Sequence, residues 1–149
     1  MHKALQTRRW IAGTVLAGAV AILASCQSMS PMMMMGQQVA LTGAGEVPPV
    51  TTSASGSGTV TIKADRSVSA SITVTGMTAT ASHIHEGAAG ANGPVIVPFT
   101  KTGDNTFAAP EGAKLTESQY ASYKAGNLYV NVHSAKNPGG EVRAQLKGN

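Results

Sequence analysis

Val68-Ser69-Ala70-Ser71-Ile72-Thr73-Val74 sets an apolar residue at every second position and a small hydroxyl residue between. Successive side chains of a strand point to opposite faces, so this alternation is the pattern of a half-buried β-strand. Thr59-Val60-Thr61-Ile62 repeats the pattern upstream, and Lys63-Ala64-Asp65-Arg66 between them has the polar composition of a turn. The three segments together predict a β-hairpin.

Working outward, further strands are expected at residues 39–42, 79–85, 95–99, 106–108, 128–134 and 141–146. Turn-forming stretches separate them: Gly43-Ala44-Gly45, residues 87–94, Gly103-Asp104-Asn105 and Asn137-Pro138-Gly139-Gly140. One segment reads as a helix. Thr116-Glu117-Ser118-Gln119 has the spacing of a capping box, Tyr120 and Tyr123 follow on one face, and Gly126 ends the turn. Many short strands with Gly/Pro turns and a single short connecting helix predict an all-β fold, an antiparallel β-sandwich of immunoglobulin-like or Greek-key type.

The chain of 149 residues divides into three parts. Residues 1–25 have the order of a lipoprotein signal peptide: basic Lys3, Arg8 and Arg9, an apolar run over residues 11–23, then Leu23-Ala24-Ser25 before Cys26. The apolar run is too short for a mature membrane-spanning helix. The tetrad ending in Cys26 resembles the bacterial lipobox, which implies cleavage before Cys26 and acylation of its thiol. Several acyl chains would anchor the protein stably to a membrane. Gln27 rather than Asp follows, which by the same resemblance implies the outer membrane. Residues 26–36 form a tether with Pro31 and the run Met32-Met33-Met34-Met35, read as a spacer or as soft thioether donors for Cu(I). Residues 37–149 are long enough for one domain with one core.

Removing the leader lowers the basic count from 11 to 8 against 7 acidic residues, so the mature net charge is +1 and not +4. No basic patch interleaved with aromatics is present in the sequence, which argues against nucleic acid as a partner. Cys26 is the sole cysteine, so no disulfide can brace the domain and stability rests on packing.

The chemistry-bearing residues concentrate in two strands. Three of the four histidines, His83, His85 and His133, lie in Ser82-His83-Ile84-His85-Glu86-Gly87 and Leu128-Tyr129-Val130-Asn131-Val132-His133-Ser134; the fourth, His2, belongs to the leader. A His-x-His strand directs both imidazoles to one face, opposite Ile84. Tyr129, Asn131 and His133 share a face opposite Leu128, Val130 and Val132, and Glu141, Arg143 and Gln145 face away from Val142, Ala144 and Leu146. Histidines two apart on a strand can converge on one ion, and His133 supplies a third nitrogen if its strand adjoins theirs. Copper or zinc suits such donors, with Glu86 or Glu141 as an additional ligand. The competing reading is a hydrogen-bonded polar face that braces the loop over residues 87–94, with Glu141 and Arg143 as a local ion pair. The spacing Gly87, Gly90, Gly93 precedes a strand instead of a helix and is no phosphate loop. Ser134 points away from its neighbour His133 and cannot pair with it as a nucleophile. Glu46, before Pro48-Pro49, reads as a surface turn residue.

Three ordered motifs, Ala40-Leu41-Thr42-Gly43-Ala44-Gly45-Glu46-Val47-Pro48-Pro49-Val50, His83-Ile84-His85-Glu86-Gly87 with Gly93-Pro94-Val95, and Tyr129-Val130-Asn131-Val132-His133-Ser134 with Asn137-Pro138-Gly139-Gly140-Glu141-Val142-Arg143, resemble the chordin-type (CHRD) domain. The resemblance implies an immunoglobulin-like sandwich without a defined enzymatic activity. A weaker similarity is to copper/zinc superoxide dismutase, where a His-x-His pair and a late strand histidine bind copper; His83, His85 and His133 match those positions. The chain has no counterpart of the bridging or zinc-site histidines, nor of the disulfide cysteines. The expectation is therefore a non-enzymatic, lipid-anchored module of the cell envelope, with an envelope or extracellular protein as partner. The alternative is an envelope protein that binds copper or zinc through the three histidines.

Overall fold

The structure is a computed structural model and describes residues 36–148. The expected signal peptide, Cys26 and the Met32-Met33-Met34-Met35 run lie outside these residues. Nine strands are present: β1 (Gln37–Thr42), β2 (Ser55–Ile62), β3 (Val68–Thr75), β4 (Ala79–Glu86), β5 (Val95–Pro98), β6 (Thr100–Gly103), β7 (Thr106–Ala108), β8 (Leu128–Ser134) and β9 (Val142–Gln145). Among the described residues a single α-helix, α1 (Glu117–Lys124), joins β7 to β8.

The expected hairpin is the β2–β3 pair, in register from Ser55↔Thr75 to Ile62↔Val68. Its turn is held by Asp65, whose Oδ1 accepts from the Ser67 amide at 3.0 Å and the Ser67 hydroxyl at 2.7 Å. All strand pairs are antiparallel and give one sheet in the order β5-β4-β8-β9-β1-β2-β3-β7-β6. The two ends of that order approach each other where β6 nears β4: Lys101 Nζ donates to Ala79 O at 2.8 Å. The sheet is thus nearly closed around a single core, an all-β architecture between a sandwich and a barrel.

The core is filled by the inward positions of the alternating strands. Leu41, Ile72, Ile84, Phe107, Val130, Val132 and Val142 are fully enclosed in one cluster. Each such side chain stabilises by roughly 1.5–3 kcal/mol through removal from water. Helix α1 packs Tyr123 into this core and begins with the capping box expected from its sequence. The Gln119 amide donates to Thr116 Oγ1 at 3.2 Å, and Gln119 Oε1 accepts from the Thr116 amide at 2.8 Å. Gly126 ends it at φ 76°, a backbone state that costs glycine little. Strand β6 differs from expectation. Thr100-Lys101-Thr102-Gly103 is solvent-exposed throughout, so it carries no alternation, and only pairing with β7 makes it a strand.

Candidate metal centre

Strands β4, β8 and β9 lie side by side, and their outward residues form a grid. His83 is opposite Asn131, which is opposite Arg143; His85 is opposite Tyr129, which is opposite Gln145. Ala81 is opposite His133, which sets His133 diagonally beside His83. Diagonal neighbours on one sheet face are within reach of long or aromatic side chains. The sequence reading of three polar faces therefore becomes one continuous surface.

That surface differs from expectation in being covered. Tyr129, Asn131, His133 and Arg143 are all buried, because the loops over residues 43–50, 87–94 and 135–141 fold across the grid. Close approach explains some of the glycines in these loops. A Cβ on Gly93 would collide with the Glu86 carbonyl, and one on Gly140 (φ 132°) would lie 2.7 Å from Asn131 Nδ2 and collide with Glu46 Oε1. Glu46 is not a surface residue: it is 4% exposed under the same cover.

The three histidines converge. One ring nitrogen from each lies within 4.8 Å of the other two. Ring centroids are 5.5 Å apart for His83 and His85, 4.7 Å for His83 and His133, and 6.0 Å for His85 and His133. Backbone carbonyls fix two of the rings. His85 Nδ1 donates to Gly93 O and His133 Nδ1 to Pro138 O, each at 2.9 Å. A carbonyl only accepts, so both rings carry their proton on Nδ1 and present the Nε2 lone pair. His133 Nε2 accepts from His83 Nδ1 at 3.0 Å. His85 Nε2 is buried and has no hydrogen-bond partner.

The electrostatics favour the neutral form of two of the rings, His83 and His133. Burial, and then the neighbouring His133 and His85, depress the His83 pKa from 6.5 to about 4. Burial also depresses His133, against the Pro138 carbonyl that raises it. Neutral imidazole is the metal-ligating form. His85 stacks on Tyr129 (4.7 Å, 7° between planes), and the Arg143 guanidinium lies 3.4 Å from the centroid of the same Tyr129 ring.

The expected auxiliary residues go elsewhere. Glu86, next to His85 on the strand, points to the opposite face and accepts from the Ser122 hydroxyl at 2.6 Å. Glu141 accepts from Thr52 Oγ1 at 2.7 Å and from the Ser134 hydroxyl, which hold its carboxyl below the usual range. Arg143 donates to Ala88 O, Ala91 O, Asn92 Oδ1 and Gln145 Oε1, so it forms no ion pair with Glu141. The ion-pair expectation fails because β9 begins after Glu141, which turns away toward Thr52. Sequence reasoning missed Tyr129 and Asn131 as parts of the site, although their period-two spacing with His133 was the available signal. Nothing local marked Glu46, whose burial depends on a loop crossing a distant strand.

Fold and site together define an all-β domain with a loop-covered histidine cluster on its outer sheet face. The family model described as the CHRD domain matches residues 37–146, and the chain belongs to that family. Comparison with curated proteins and with solved structures returned no match.

Proposed function

We propose that this CHRD-type module is a non-enzymatic, extracytoplasmic metal-binding protein that holds one copper or zinc ion between His83, His85 and His133. The observation that carries the reading is the buried, partnerless Nε2 of His85, turned by the Gly93 carbonyl so that its lone pair has nothing to meet. An unpaired buried polar atom costs about 1–3 kcal/mol, which a bound cation would remove. The bland reading, in which the histidines only brace loops, accounts for the two Nδ1 bonds and leaves this atom unexplained. Second-row support fits as well: metal-binding histidines commonly donate their other nitrogen to a carbonyl, as His85 and His133 do. Binding requires one proton shift, from Nδ1 to Nε2 of the half-buried His83, which frees its inner lone pair without changing its charge.

The lipobox resemblance supports an anchor at Cys26, with the domain in the cell envelope and the outer membrane as its surface. A protein partner in the envelope is the accompanying proposal for a module of this family. The metal reading is tested by thermal melts of the untagged domain after copper or zinc loading and after EDTA. An ion at a hundredfold excess over its Kd adds about 2.7 kcal/mol, a rise in Tm on the order of 10 °C. His83→Ala and His133→Ala should abolish the rise. Coincident melts of the wild-type protein with metal and with chelator would remove the metal and leave a scaffold that acts by contact alone.

A further inference from the structure

Resting on the metal-centre reading, the geometry points to Cu(I) as the ion the site selects, with Arg143, which shares the Tyr129 ring with His85, as the residue that sets the preference over Cu(II) and Zn(II). The donor set contains no negative charge. The cluster consists of three imidazoles, and the groups that orient two of them are the carbonyls of Gly93 and Pro138. Glu86 and Glu141 are engaged by Ser122, Thr52 and Ser134. A positive charge, by contrast, is built in. Arg143 is 2% exposed, its four acceptors are all neutral, and its guanidinium lies 3.4 Å over the Tyr129 ring that stacks on His85. Glu46 attracts this guanidinium, but burial keeps that carboxyl protonated up to about pH 7.

The charge of the ion decides the outcome. The cost of desolvating an ion rises with the square of its charge, and repulsion by Arg143 rises in proportion to it. Neutral nitrogens offset neither through charge, so a monovalent ion loses least. Cu(I) is also served by few donors, and three converge here. Ordinary nitrogen sites prefer Cu(II) to the other divalent ions, so a preference for Cu(I) is a departure that the surroundings must create.

The test uses the untagged protein without reductant-sensitive tags. Cu(I) is presented anaerobically from a bicinchoninate complex, and Cu(II) and Zn(II) from chelators of known affinity. The expected result is one equivalent of Cu(I) per chain that is lost in His83→Ala, and so is not held by the Met32-Met33-Met34-Met35 thioethers, and that is bound at least about a hundredfold more tightly than either divalent ion. Arg143→Gln should reduce the Cu(I)-over-Cu(II) ratio by about tenfold, the effect of a unit charge at roughly a nanometre in a protein. Arg143→Lys, which keeps the charge and loses the forked bonds, should restore the ratio; a purely structural role would not be rescued. Divalent ions bound as tightly as Cu(I) would overturn the selectivity while leaving the metal centre standing. Absence of binding by all three ions would overturn the metal centre itself. Should Arg143→Gln fail to fold, the wild-type ratio alone decides.

Discussion

The facing of His83, His85 and His133 on their own strands was legible because period-two geometry is local: residues two apart share a face whatever the rest of the chain does. Glu46 was not legible, since its enclosure depends on the loop over residues 43–50 crossing β9, where Gly45 sits directly against the Arg143 carbonyl. Its burial has a measurable consequence. The unfolded carboxyl ionises near 4.5, whereas the folded one keeps its proton to about 7. Between those values the folded state binds more protons, so this group's contribution is present at low pH and is lost as pH rises through 7. Glu46→Gln keeps the shape and removes the charge. It should leave the melting midpoint unchanged at about pH 3.5, below both values, and stabilise the metal-free domain by on the order of 1–2 kcal/mol at pH 8. A destabilised variant at pH 8 would show that the ionised carboxylate is welcome there.

Elements with their own local signals were readable, and those defined by pairing were not. The Thr116–Gln119 box announced α1, and the Val68–Val74 alternation announced β3. Strand β6 carried nothing of the kind, because a strand exposed on both faces needs no apolar residue. The loop after β4 shows how an element positions chemistry. Gly93 supplies the carbonyl that turns His85, and its backbone passes so close to Glu86 that no side chain fits. Gly93→Ala must push the loop outward. The expected cost is about 1–3 kcal/mol of stability from the forced shift. A further tenfold or so should be lost in metal affinity, the usual effect of removing a ligand's supporting bond. A chelator competition titration beside a melt separates the two, and unchanged affinity would show that the Gly93 carbonyl does not hold the ring.

At the scale of the molecule, the all-β class followed from composition and turn spacing, while the adjacency of β4, β8 and β9 did not. These strands are distant in sequence, and the register that brings His83 to Asn131 is set only when the sheet closes. The site is thus a product of topology acting on residues whose facing was already fixed. The leader lies beyond the described residues, and its reading is tested on the whole protein in a cell that processes lipoproteins. Cys26→Ser should move the protein from the membrane fraction to the soluble fraction, and retention in membranes would contradict acylation at that thiol. The convergence of the three rings is tested most directly by X-ray absorption of the untagged domain after copper loading. The account predicts one copper per chain with three imidazole nitrogens at about 2 Å; sub-stoichiometric copper, or a spectrum unchanged when His83, His85 and His133 are each replaced by alanine, would contradict it.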